Sequence, residues 1–454
     1  MSETRKTLTL VGVAAVLLLL AFVTAPGKVN PEAFDDVGEP FFGDFEDPNA
    51  ATTLEVIEFD EETGTARPFK VTFEGDVWTI PSHHNYPADG KDRLAKTAAG
   101  LIGIRKDGLR SNNAGDHEAC GVVDPLDETM TSLAGRGERV TVKDASGQVL
   151  ADLIIGKATG EEDNLHFVRV PGQKRVYVSR LDLDISTKFA DWIETDLLEV
   201  DKDDIDKVII KDYFINERTR RVVERGEIVL SEDDGTWTAA KMRSSEEVNS
   251  TKMDDLLRGV DELSIVGVRP KPAGLTQSLK QSGDDIPISQ EALLSLQSKG
   301  YYFTRDGNLH SNEGELQLET ARGVTYSLRF GEVLYGSDEA VTAGTDSSDD
   351  ESAGPGENRY LFITTSFNSD RFPEPERPAD LAFQDKKEED LTDDDKRNKE
   401  LHEKVQEWEK ELAENRETSD QLNQRFAEWY YVISSSSFDK IHLERGDLIR
   451  EKSE

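Results

Sequence analysis

Cysteine is nearly absent. A single thiol, Cys120, excludes an internal disulfide and any zinc or iron–sulfur site built from several thiolates. Histidine is sparse as well, with seven in 454 residues. Positive charge is short: 54 basic side chains face 92 acidic ones, for a net charge of −38. That excess opposes nucleic-acid binding through the phosphates, which needs clustered Lys and Arg. It equally opposes docking on anionic lipid by charge alone. What is present is a polar but foldable mixture, 36% hydrophobic and 32% charged. The length suffices for two or three domains, each with its own core.

One apolar run is long. Thr7 to Ala25 carries no charge, and Arg5 and Lys6 precede it. At about 1.5 Å per residue, such a helix nearly crosses a hydrocarbon layer of about 30 Å. No polar face interrupts the run, which argues against a core helix. Val23 and Ala25 resemble a signal-peptidase site, but cleavage there leaves Pro26 first, where peptidases usually fail. No cysteine follows, so a lipoprotein anchor is excluded. The expectation is a cytoplasmic tip (1–6) and a retained single-pass membrane anchor (7–25), with everything after Ala25 exported by the positive-inside bias. Residues 26–50, rich in Pro, Gly and acid, read as an extended acidic tether, with Phe41 and Phe42 able to dock on the first domain.

Compared with itself, the chain repeats. FKVTFEGDVWTI around Trp78 and GEIVLSEDDGTWTA around Trp237 each read as a strand, an acidic glycine-containing turn and a Trp-Thr strand. A gapless offset of 159 then pairs Leu94, Thr97, Ala98, Leu101 and Ile104 with Met253, Leu256, Leu257, Val260 and Leu263. The spacing of three and four predicts an amphipathic helix after each Trp strand. RVTVKDASGQVLADLIIGK resembles ELQLETARGVTYSLRFGE, the two closing on Gly156 and Gly331, and HFVRVPGQKRVYVSRL resembles RYLFITTSF. Phe189-Ala-Asp-Trp192 likewise resembles Phe426-Ala-Glu-Trp429, and DKVII from Asp206 resembles DKIHL from Asp439.

The second copy carries insertions. Residues 337–357 hold seven acids and no base among Gly, Ser and Thr, too little apolar surface to order itself. Residues 373–425 hold 18 acids and 10 bases. There Leu401, Val405, Trp408 and Leu412 make a narrow apolar seam that resumes at Leu422 and Phe426, and Thr392 with Asp395 resembles a helix start. This predicts a long charged helix, laid along its own domain or offering a coiled-coil seam that Asn415 and Ser419 weaken.

The Trp-Thr strand, the helix after it, the turn at Cys120-Gly121-Val122, the strand closing on Ile155-Gly156 and the Tyr177 strand resemble the DUF4340 family, a domain of unknown function. The resemblance spans roughly Val71 to Ile210 and, more loosely, Ile228 to Leu443. It implies an exported protein held by one N-terminal helix and, for members encoded beside ABC-type transport systems of the gliding-motility kind, an accessory role in the envelope. No catalytic residues are established for the family, so none is carried over.

Side chains arranged for chemistry are few. His83 and His84 are adjacent, so on a strand they point to opposite faces and rarely share an ion with His117. Cys120 follows His117 by three, but Asp116 and Glu118 disfavour its thiolate. Asp201, Asp203, Asp204 and Asp206 fail the EF-hand pattern, which needs Gly where Asp206 stands. Gly135-Arg136-Gly137 opens like a dinucleotide loop, but a strand follows rather than a helix. Gly156-Lys157 lacks the earlier glycine of a phosphate loop, and Arg445-Gly446-Asp447 reads as a chance triplet. The tryptophans Trp78, Trp237, Trp192 and Trp429 read as repeated core positions. No catalytic, cofactor-binding or metal-ligating residue is singled out, and no cofactor is expected.

The expected architecture is α+β: after the anchor and tether, two tandem repeats (51–210 and 211–443), each a mainly antiparallel sheet with a packed helix, then a C-terminal tail (444–454). The expected role is a non-catalytic, membrane-anchored, extracytoplasmic protein with an envelope partner, possible ABC-transporter subunits among them. The alternatives from other classes are a glycan-acting enzyme using two carboxylates and a calcium-dependent adhesion module.

Overall fold

The computed structural model describes residues 36–160, 164–216, 218–219, 221–280, 289–304, 308–335 and 357–452. The expected tip and anchor (1–25), the tether as far as residue 35 and nearly all of the acidic loop 337–357 lie outside the described residues. Among the described residues, no helix is long and apolar enough to cross a membrane.

Two large antiparallel sheets and several helices make an α+β fold. In the first, β1 (Thr53–Asp60), β2 (Thr65–Glu74), β3 (Val77–Ile80) and the short β4 (Tyr86–Pro87) precede helix α1 (Lys91–Ile102). Then come β5 (Gly108–Ser111), the single turn α2 (His117–Cys120), β6 (Glu138–Lys143), β7 (Val149–Ala158), β8 (Leu165–Arg169) and β9 (Val176–Arg180). The period of two buries Leu54 and Val56 on one face, and the period of three and four in α1 buries Leu94, Thr97, Ala98 and Leu101 against it. The strand order is β4-β3-β2-β1-β6-β7-β8-β9-β5.

The second sheet uses β10 (Ile205–Asn216), β11 (Arg221–Asp233) and β12 (Thr236–Ala239), then β13 (Glu246–Val248), α3 (Ser250–Asp261) and β14 (Gly267–Pro270). After α4 (Ala273–Lys280), α5 (Gln290–Gln297) and the hairpin β15 (Tyr301–Phe303) and β16 (Leu309–Ser311) come β17 (Glu313–Thr320), β18 (Val324–Tyr335) and β19 (Glu357–Phe367). Helix α6 (Asp393–Ala427), β20 (Trp429–Ile433), α7 (Ser435–Ile441), α8 (Arg445–Leu448) and β21 (Ile449–Glu451) close the chain. The strand order is β12-β11-β10-β17-β18-β19-β20-β14, that of the first sheet from β3 onward. Registers agree too. Leu54 faces Val71 and Val142 while Val140 faces Leu153; Val208 faces Leu230 and Leu318 while Leu316 faces Leu328. At the far edges Leu109 faces Tyr177 and Val268 faces Tyr431.

Two of the short sequence matches fail against this order. Trp192 ends a 3-10 turn that follows β9, whereas Trp429 opens β20. The carbonyl of Trp192 receives the Asp89 N–H ahead of α1, and the carbonyl receiving the Asn249 N–H ahead of α3 is that of Leu448. Leu448, not Trp429, is therefore the counterpart of Trp192. Likewise Asp206–Ile210 lies in β10, while Asp439–Leu443 runs out of α7. Four- and five-residue identities arise easily in amphipathic sequence, and strand order overrides them.

Three expected boundaries shift. Strand β10 lies wholly in the second sheet, so the change of sheet precedes Ile205 rather than falling at 210. The tail is structural, since β21 pairs with β13 (Val248↔Ile449). Residues 36–50, expected in the tether, are packed down instead. Gly38 and Phe41 donate to the carbonyls of Lys106 and Ile104, and Phe45 is buried. The charged helix α6 starts at Thr392 with a capping box to Asp395. Its seam faces its own domain. Leu422 and Phe426 enter the core, the carbonyl of Ser419 takes the hydroxyl of Thr365, and the Trp408 indole donates to the Phe372 carbonyl. One continuous core contains side chains of both sheets.

Candidate functional site

A polar concavity of about 520 Å³ lies on the second sheet, on the face away from α3. Lys211 on β10, Glu315 on β17 and Arg329 on β18 stand in one cross-strand row. Glu315 is buried, with Lys211 Nζ at 2.7 Å from Oε1 and Arg329 Nε at 3.0 Å from Oε2. The Gln317 amide donates to Oε1 as well, at 3.1 Å. Beside the row, β10 slips against β11 at Asp212/Tyr213 and against β17 between Lys211 and Phe214. This bulge is possible because Gly314 has φ +70° and a Cβ there would meet the Lys211 carbonyl at 2.6 Å. It turns Tyr213 inward against the His310 ring, with centroids 5.2 Å apart, and burial pushes the Tyr213 hydroxyl up. Arg225 pairs with Asp212 and Glu313 at the mouth, while Glu224 and Glu227 line the exposed rim.

Titratable groups with shifted protonation also lie elsewhere, among them buried Lys271 and His83 and the half-buried Glu138. Lys271 is 5% exposed, and burial holds its ammonium well below the usual lysine range. Its Nζ donates to the Phe426 carbonyl at 2.8 Å and lies 3.9 Å from the Phe362 ring centre. It therefore adds a second donor to a carbonyl in the last turn of α6, which also receives the Glu428 N–H, where the helix dipole favours a cation. His83 is fully buried, stacked on Phe189 at 4.6 Å, and desolvation brings it down to about 4. Burial, with Glu58 nearby, pushes Glu138 up to about 7.

The candidates named from sequence scatter. His83 sits in the core, His84 is exposed, and His117 contacts the Lys174 carbonyl. Cys120 is buried, and desolvation raises its thiol. Asp201 caps a 3-10 turn, Asp204 pairs with Arg322 and Asp206 with Arg371, so this carboxylate run is dispersed among separate partners. Trp78 and Trp237 take matching places opposite Phe73 and Glu232. Arg136, between its two glycines, donates to the carbonyls of Asp124, Pro125, Asp127 and Met130 and covers the Phe59 ring, a loop lock rather than a phosphate cradle. Among the described residues, no three or more His, Cys, Asp or Glu side chains converge as a metal site.

Residues 78–278 match the model of the family described as Domain of unknown function (DUF4340). That stretch, less than half of the chain, is similar to the DUF4340 family. No curated protein and no solved structure matches the chain. The DUF4340 match opens at Trp78 in β3 and stops within α4, so it takes in most of the first sheet and the opening strands of the second. It contains the β10 and β11 side of the basin and leaves out β16, β17 and β18.

Within the DUF4340 stretch lies a pair of residues the sequence reading passed over. Gly100 and Gly259, also 159 apart, are the crossing points of α1 and α3. A Cβ on Gly100 would lie 2.8 Å from Leu183, and one on Gly259 would lie 3.0 Å from Lys440. In each unit the segment following the last strand passes over the helix there. The gapless offset was a sufficient signal for them. Lys271 and the bulge at Asp212/Tyr213 left no such trace.

Proposed function

We propose that this chain is a non-catalytic, membrane-anchored extracytoplasmic protein whose two sheet units descend from one duplicated repeat and serve together as a docking body for an envelope partner, an ABC-type transport system among the possibilities. The observation that carries the duplication is the common strand order, matched in register at the paired core positions Leu54 and Val208, Val140 and Leu316, and Leu109 and Val268. The anchor rests on the uncharged run Thr7 to Ala25 behind Arg5 and Lys6. A docking rather than catalytic role is supported by the way the basin's ionic groups are spent on one another, Lys211 and Arg329 on Glu315 and Arg225 on Asp212. Membrane fractionation tests the anchor: the chain should resist carbonate extraction, and a version lacking residues 7–25 should not. Crosslinking in intact cells followed by mass spectrometry tests the partner. Recovery of transporter subunits is expected, and recovery of bulk proteins alone would count against the reading.

A further inference from the structure

We infer that the basin on the second sheet binds a neutral, polyhydroxylated ligand, one or two sugar units in size. The inference stands apart from the partner proposed above. It starts from a departure between the two units. In the row where the second sheet carries Lys211, Glu315 and Arg329, the first sheet carries Ile57, Arg139 and Ile154. The same fold therefore tolerates two aliphatic side chains there, and a carboxylate buried between two partly exposed cations is seldom the more stable choice. The bulge is a second departure. The first sheet pairs β1 with β2 without a slip, whereas the second breaks its ladder beside the row and re-aims Tyr213. Bulges are favoured next to binding sites for this reason.

The chemistry of the lining selects the ligand. The charges inside are cross-paired, so no net ion awaits an opposite ion. The lining is a mixed set of acceptors and donors already paired at close quarters, to which a hydroxyl can add a further bond: the Glu315 carboxylate, the Gln317 amide, the Arg329 guanidinium and the His310 ring. Hydroxyl groups both donate and accept, so a sugar can satisfy such an alternating set, whereas a simple ion or an apolar molecule cannot. Leu309 and Val222 offer apolar surface for the ring carbons. Exposed Glu224 and Glu227 on the rim repel anionic sugars. A volume of about 520 Å³ lies within the range of small-molecule sites.

Saturation-transfer NMR tests this on the full chain in a detergent without a sugar headgroup, with maltose, cellobiose and N,N′-diacetylchitobiose as probes. At least one should receive saturation. Gln317→Ala and His310→Ala, both partly exposed positions, should each weaken that binding by about tenfold or more while circular dichroism shows the chain still folded. A uronic-acid disaccharide should bind more weakly than its neutral counterpart. Lengthening the binding sugar to a hexamer tightens the complex if the natural ligand is a polymer and leaves it unchanged if it is a free small sugar. Silence from all three probes, or binding indifferent to both substitutions, overturns the inference.

Discussion

At the scale of single residues, the clearest constraints are backbone approaches that admit no side chain. Gly331 ends the core run of β18, and a Cβ there would lie 2.3 Å from the Lys299 carbonyl and 2.7 Å from the Tyr301 ring. Gly331→Ala should therefore cost about 1–3 kcal/mol, as overpacking does, seen as a lower urea midpoint at unchanged slope. Two titratable groups, the buried His83 and the half-buried Glu138, predict opposite pH dependences. His83 falls from 6.5 to about 4 on folding, so between those values the unfolded chain binds a proton that the native one refuses. Its contribution is present above pH 6.5 and is lost as pH drops toward 4. His83→Phe should flatten that acid limb in urea midpoints measured across the window. Glu138 rises from 4.5 to about 7, so its penalty is absent below 4.5, grows as pH rises and is complete above 7. Glu138→Gln should be more stable than the parent at pH 8 and indistinguishable from it near pH 4.5. Equal differences at both pH values would refute the assignment.

At the scale of elements, α6 shows which parts of a seam matter. Phe426 is fully buried, while Leu412 is only half-buried on a mainly solvated stretch. Phe426→Ala should cost about 3–5 kcal/mol and Leu412→Ala well under half of that, measured by denaturant titration. The helix and its start at Thr392 were legible because capping chemistry and the three-four period are local. So were both Trp-Thr hairpins and the helices α1 and α3, whose buried faces follow the predicted spacing. That the helix lies along its own domain was one of the two readings the sequence left open, and it could not decide between them because Thr365 and Phe372 meet the seam only through tertiary packing. The equivalence drawn between Trp192 and Trp429 went astray for a related reason. A four-residue likeness carries no information about which strand it borders, whereas the run from Trp78 to Ile104 at a constant offset does. Of the basin, Lys211, Glu315 and Arg329 were invisible as a group, since their row is assembled from three strands spread over more than a hundred residues.

At the scale of the whole molecule, the two sheets do not behave as beads on a string. Tyr86 of the first unit packs edge-on against Trp429 of the second with centroids 5.0 Å apart, Arg425 pairs with Glu199, and one apolar core runs through both units. Thermal unfolding should therefore follow a single cooperative transition, coincident by near- and far-ultraviolet circular dichroism. Two resolved transitions would show that each unit stands alone. The docked segment from Asp36 to Phe45 has a mechanical corollary. It grips the first sheet through a few backbone bonds and the Asp36 carboxylate on Tyr177, Lys106 and Arg175. A molecule tugged by its leading end would feel that tension first at this clasp. Peeling it loose would lengthen the leash by about 3.5 Å for every residue freed, while both sheets stayed whole.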